Sequence, residues 1–357
     1  MQADLDRRRK KPVAIWLLIG VFMIIIQVIL GGITRLTDSG LSITEWKPIL
    51  GAIPPLNDKD WVEAFNHYKQ IAQFKHLHSY FTLQDFKSIY FWEWLHREWG
   101  RFIGIVFAVP FIIFIIQKRF SREMIKPMVI LFLLGGLQGL IGWIMVQSGL
   151  NEENLYVSHI RLAIHFILAL GLLVYTFWFA LLLLVRQRDL FVWRSSKRML
   201  IWITILLVIQ LVYGAFMAGL KAAVYAPTWP TINGEYIPAH LGTTAGTTNS
   251  FLASLVNDPI TVQFIHRNLA YILIVLILIW TFSAIKERSY SLFNTTKWLP
   301  LIMLLAQVVL GILAVIKSPY KIPQHWGVFE WYAQLHQFVA IVLLLTLVTN
   351  VFLLRRK

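Results

Sequence analysis

The chain has 357 residues, no cysteine, 57% hydrophobic residues and 14% charged ones, with a mean hydropathy of +0.64. Soluble domains carry about 25% charged residues, so the composition excludes a soluble enzyme, a disordered chain and a disulfide scaffold. Without thiols it also excludes a cysteine nucleophile, an iron–sulfur cluster and a cysteine-ligated zinc.

A spanning helix needs about 20 mostly apolar residues, and eight stretches qualify. The lead MQADLDRRRKKP is basic but holds two acids and little serine. It is expected to be a retained signal-anchor rather than a transit peptide. Span 1, about 13–33, contains Gln27 and Gly31. A long loop, 34–92, is rich in Trp, Tyr, Pro and Gly and is expected to fold over the outer mouth. Span 2, about 93–117, opens with Glu93, His96, Arg97 and Arg101. Span 3, about 125–147, carries Gln138 and Gly142, and span 4, about 158–185, carries His159, Arg161 and His165. Span 5, about 197–220, carries Gln210 and Gly214. A second long loop, 221–260, leads to span 6, about 261–285, with His266 and Arg267. Span 7, about 297–317, has Gln307 and Gly311, and span 8, about 327–354, has His336.

Eight spans put both termini on one side. That side, with the first basic residues of the spans that leave it, carries 20 Lys/Arg and 5 Asp/Glu, whereas the rest of the chain carries 13 of each. The whole formal charge of +15 therefore lies on one face. The positive-inside rule reads it as the cytoplasmic face of a lipid bilayer, here a bacterial plasma membrane, and not as a nucleic-acid surface.

The second half echoes the first. Gln138 and Gly142 lie 169 residues before Gln307 and Gly311; His96-Arg97 lies 170 before His266-Arg267; His165 lies 171 before His336. Gln27 and Gly31 precede Gln210 and Gly214 by 183, the excess being absorbed by unequal loops. Each half is a four-span unit whose ends lie on the same side, so the halves are parallel. The expected fold is an all-α integral membrane protein of two duplicated four-helix bundles, 1–196 and 197–357.

Ionisable residues inside spans are costly and mark function. Each half places one histidine on its second helix and one on its fourth, at similar depth in the outer half of the bilayer. Two neutral imidazoles facing across a bundle suit bis-histidine haem ligation. Zinc wants three or four protein ligands, copper a third, and a proton relay a string of carboxylates. The bland reading is a hydrogen-bonded core histidine, which four duplicated positions disfavour. His67, His76, His78, His240 and His325 fall in outer loops and are read as solvated or structural. His159 points to another side of its helix from His165.

The halves also differ. Glu93 corresponds to Gln263, Arg101 to Tyr271 and Arg161 to Tyr332, while Arg97 matches Arg267. Glu93 is three residues before His96 and shares its face. It is a candidate for acid–base work or for stabilising cationic charge, or else a simple ion-pair partner of Arg97. The arginines are candidates for holding haem propionates. The first half is thus expected to act on a substrate and the second to hold a permanent redox cofactor.

GGITRLTDSGLSITEWKPILGAIPPL (31–56), FWEWLHREWGR (91–101), YAPTWPTINGEYIP (225–238) and the four histidines resemble haem A synthase, in its mitochondrial and proteobacterial branch. The resemblance covers nearly the whole chain. It implies oxidation of a haem O methyl group to a formyl group by successive hydroxylations, giving haem A for terminal oxidases. It implies a haem b cofactor on His266 and His336, with haem O at His96 and His165, and a catalytic Glu93. Haem O synthase is the implied partner, along with an unidentified electron-transfer partner. Some bacterial members carry paired loop cysteines; this chain has none, so no thiol-pair mechanism operates. Two rival classes are a cytochrome b-type electron carrier, which needs no Glu93 in one half alone, and a transporter of parallel repeats, which should show broken spans. Pro110, well inside span 2, has Trp280 at its counterpart.

Overall fold

A computed structural model describes residues 2–47, 50–239, 241–242, 251–288, 290–321 and 326–355. Eleven α-helices are present among them: α1 (Gln2–Leu36), α2 (Asp58–Tyr68), α3 (Leu83–Ile116), α4 (Arg122–Gln147), α5 (His159–Leu184), α6 (Arg194–Gly219), α7 (Phe251–Asn257), α8 (Pro259–Ala284), α9 (Ser291–Thr296), α10 (Leu299–Lys317) and α11 (Val328–Leu353). Eight are long and apolar enough to cross a membrane, all but α2, α7 and α9, as the hydropathy of the sequence predicts. The described residues form no β-strand, only an isolated bridge between Ile232 and Glu235.

Most helix ends fall within a few residues of the expected spans. The exceptions are α1, which begins at Gln2 instead of 13, and α3, which begins at Leu83 instead of 93. The start of α3 is a capping box: Thr82 Oγ1 accepts from Asp85 N, while Asp85 Oδ2 accepts from Thr82 N. This first part is half-polar, so a hydropathy reading misses it. At 1.5 Å per residue the 34-residue helix exceeds the ~30 Å apolar layer, and its N-terminal turns stand clear of it. There Phe86, Ile89 and Tyr90 pack with Leu41, Phe65, Tyr68, Ile71, Phe81 and Val146 in a small core. The loop 34–92 is therefore a folded cap with an interior. Within it Tyr68 Oη lies 2.9 Å from Gln73 Oε1 and 2.6 Å from His78 Nδ1. Burial pushes the Tyr68 hydroxyl's pKa up.

The chain divides into two compact units. One comprises 22–172 with 322–326 and holds His96 and His165. The other comprises 1–21, 173–321 and 327–357 and holds His266 and His336. In the second unit α6 packs on α8, and α10 on α11. Small contacts set the approach: a Cβ on Gly20 would stand 3.7 Å from Thr176 Cγ2. Trp280, fully buried, donates Nε1–H to Ser196 Oγ at 2.9 Å. In the loop between α6 and α7, Asn233 and Gly234 both take positive φ (51° and 95°), closing the Ile232–Glu235 bridge as Asn-Gly turns do.

Candidate functional site

Each of the four span histidines meets a glutamine and a glycine on a neighbouring helix. Gln27 Nε2 lies 3.3 Å from each ring nitrogen of His96, and Gln138 Nε2 lies 3.1 Å from His165 Nδ1. Gln210 Nε2 is 3.3 Å from His266 Nε2, and Gln307 Nε2 is 3.1 Å from His336 Nε2. Four residues after each glutamine stands a glycine facing the same ring. A Cβ on Gly31, Gly142, Gly214 or Gly311 would come within 3.1, 2.8, 3.4 or 2.8 Å of the histidine's Cε1. The sequence marked these glutamines and glycines as repeat positions; the structure places them at the histidines.

His266 and His336 face each other with ring centroids 6.4 Å apart and planes at 69°. Two imidazoles on opposite sides of one metal ion, each bound through a nitrogen at about 2 Å, bring their centres to roughly 6 Å apart. Among the described residues no cluster of three or more His, Cys, Asp or Glu could hold a metal ion. Two protein donors and no third fit a haem, whose macrocycle supplies the remaining iron ligands. All four histidines are only half-buried although they lie within the helices, which leaves a ring edge open beside the bundle. His336 Nδ1 sits 3.0 Å from the Gln307 carbonyl, which can only accept. The proton is therefore on Nδ1, and Nε2 keeps its lone pair.

Glu93 is buried, 2% exposed, beside His96. Its Oε2 accepts from Ser42 Oγ at 2.7 Å and Ile43 N at 2.8 Å; its Oε1 accepts from Arg97 at 2.5 Å. The ion pair with Arg97 is thus present. Arg97 also donates to the carbonyls of Ile43 (2.9 Å) and Glu45 (3.3 Å). Trp46 stacks on Trp143 at 5.4 Å, and the Arg97 guanidinium lies over Trp143 at 5.8 Å. Trp143 adjoins Gly142, so cap loop and ring seat meet.

The other unit repeats this clamp. Arg267 donates to the carbonyls of Thr231 (3.0 Å), Thr228 (2.6 Å) and Ala226 (3.4 Å). Gln263, fully buried, donates to Ala226 O at 2.9 Å. Ala226 and Thr228 lie 183 residues after Ile43 and Glu45, the offset of Gln27 and Gln210. Extending that offset into the loops, where it also pairs Trp46 with Trp229, is the signal that finds the clamp. Ser42, which the sequence did not single out, falls opposite Tyr225.

The remaining arginines reach main-chain oxygens too. Arg101 pairs with Glu98 and donates to Lys47 O at 3.1 Å. Arg161 donates to Ile144 O at 2.8 Å and lines a polar cleft with Gln147, Ser148 and Asn154. His78 is turned into the cap core, stacked on Phe81 at 4.0 Å, while His76 is exposed. His67 lies 4.0 Å from Glu63, and His159 opens α5. His240 and His325 lie outside the described residues.

Residues 14–348 match the family model described as cytochrome oxidase assembly protein, COX15-CtaA. The chain belongs to this family. It is similar to the heme A synthase of Flavobacterium johnsoniae, at 36% identity over 95% of this chain and 96% of that protein. It is similar to the heme A synthase of Rhodopseudomonas palustris, at 39% identity over 98% and 92%. That of Rhodospirillum centenum is 44% identical over 76% and 72%. Family membership joins the eight apolar helices to a multi-pass, haem-associated membrane protein.

Proposed function

We propose that the protein is a haem A synthase: it oxidises a methyl group of haem O to a formyl group by successive hydroxylations, the final hydrate losing water. The observation that carries the reading is the pair His266–His336, opposed at 6.4 Å, with a second, similarly seated pair beside a buried carboxylate.

In this reading His266 and His336 would hold a resident haem b, which would supply one-electron redox chemistry. His96 and His165 orient the substrate haem O. Glu93, held by Ser42, Ile43 N and Arg97, is the group that accepts or returns protons at the substrate, or faces cationic charge as it develops. Arg97, Arg101, Arg161 and Arg267 close the loop side of the two sites and are the candidate partners of haem propionates. The duplicated halves 1–196 and 197–357 divide this work: the first takes substrate, the second keeps cofactor. The protein sits in a bacterial plasma membrane with both termini cytoplasmic. It receives haem O from haem O synthase and passes electrons to a further partner.

Pigment analysis of the detergent-purified protein tests this. A reduced-minus-oxidised spectrum and chromatography of the extracted haems should give haem b together with haem O, an oxidised intermediate or haem A. Haem b alone, with no conversion of added haem O, would favour an electron carrier. No haem after haem-replete expression would overturn the histidine assignment.

A further inference from the structure

The four glutamines that meet the histidines are not explained by helix packing alone. Each is half-buried on an apolar helix, and each brings its amide nitrogen to within 3.3 Å of a ring nitrogen. In all four the Oε1 atom is buried without a hydrogen-bond partner. Leaving a buried acceptor unmatched is costly, and here it recurs four times at equivalent places. His266 Nδ1 is likewise buried and without a partner.

Iron ligation supplies the missing match. A ligating histidine puts its proton on the nitrogen away from the metal and donates it to an acceptor, which fixes the ring's tautomer and rotation. A carboxamide offers either an N–H or an oxygen. At His336 the acceptor is already the Gln307 carbonyl, 3.0 Å from Nδ1. At His266 a half-turn of the Gln210 amide presents the unpartnered Oε1 instead, whereas Gln27 and Gln138 Nε2 also donate to the main-chain carbonyls of His96 (3.1 Å) and His165 (2.8 Å), which fixes those amides beside their rings. The glycine four residues on lets the ring lie against the helix: a Cβ at Gly142 or Gly311 would stand 2.8 Å from the imidazole.

We propose that Gln27, Gln138, Gln210 and Gln307 are positioning residues for the iron-ligating histidines, one glutamine per ligand, acting with the glycine four residues later as a ring seat. This rests on the reading of the histidines as haem ligands. It goes beyond that reading by naming what orients them.

The test uses full-length Gln210→Leu and Gln307→Leu proteins, purified in detergent after haem-replete expression. The readouts are haem b per polypeptide, the ferric low-spin signal and the midpoint potential. Both variants should keep haem b near wild-type stoichiometry, with a shifted potential and a low-spin signal that divides or turns partly high-spin. Gln210→Glu, which retains acceptor oxygens, should restore the wild-type signal. Wild-type potential and signal in both leucine variants would overturn the proposal and leave bis-histidine ligation standing. A wild-type protein without haem would overturn the ligation itself. Should the leucine variants fail to accumulate, the glycines decide. Gly311→Ala should disturb the signal and Gly104→Ala, whose Cβ would meet nothing within 4 Å, should not; equal effects, or none, would overturn the seat.

Discussion

Glu93 and Gln263 address equivalent places in the two long loops with opposite polarity. Glu93 accepts from the amide of Ile43, and Gln263 donates to the carbonyl of Ala226, 183 residues further along. The same backbone position is held in both, so the loop clamp needs no carboxylate. In the proposed function the charge of the first half, paired with Arg97, is the group that does the chemistry.

Glu93→Gln should therefore retain haem b but stop conversion of haem O, by the ~10²–10⁴-fold typical of a lost acid–base group. The substitution also removes the ion pair with Arg97, so some loss of thermal stability is expected. Conversion assayed by chromatography of extracted haems checks the first point. Turnover at the wild-type rate would remove the catalytic role.

The histidine pairs should separate by phenotype. His266→Ala or His336→Ala should strip the resident haem b, seen as loss of the reduced-minus-oxidised signal. His96→Ala or His165→Ala should leave that signal and lose turnover. A low-spin haem b retained in both His266→Ala and His336→Ala would move the cofactor to the other pair.

Arg97 and Arg267 each hold loop carbonyls with several donors of one fork. Bonds from a charged donor contribute about 1.5–3 kcal/mol each, and lysine cannot reproduce the planar geometry. Arg267→Lys should loosen the segment 226–231, and Arg97→Lys the segment 42–47. Hydrogen exchange or limited proteolysis should show faster attack there, with the spans themselves unchanged. Equal protection in variant and wild type would show that the clamp is not needed to hold the loops.

Tyr68→Phe should leave the buried groups of Gln73 and His78 without their shared hydroxyl, at a cost of about 1–3 kcal/mol. The fall in melting temperature should be accompanied by unchanged haem b content, because the second unit carries His266 and His336. Loss of haem b along with the cap would contradict that separation.

Much of this protein was legible before folding. Eight apolar runs had to become helices, because backbone groups in an apolar layer must satisfy each other. The spacing of His96, His165, His266 and His336 disclosed the repeat, since ionisable groups in such runs are rare. The start of α3 was less legible, because the capping box at Thr82 and Asp85 precedes the apolar run. The clamp lay hidden in a loop offset of 183 that differs from the 169–171 of most spans.

By itself the sequence determined the number of apolar spans, the helical class, the residue repeat and the identity of the ring-bearing residues, all set by local composition and spacing. Only the tertiary structure decided that Gln27, Gln138, Gln210 and Gln307 meet those rings. It alone decided that Ser42 and Ile43 bind Glu93, and that His266 and His336 stand 6.4 Å apart. These contacts join residues from 27 to 70 positions apart. Hydrogen bonds act over a few ångströms, so which groups meet depends on how helices pack and not on their place along the chain.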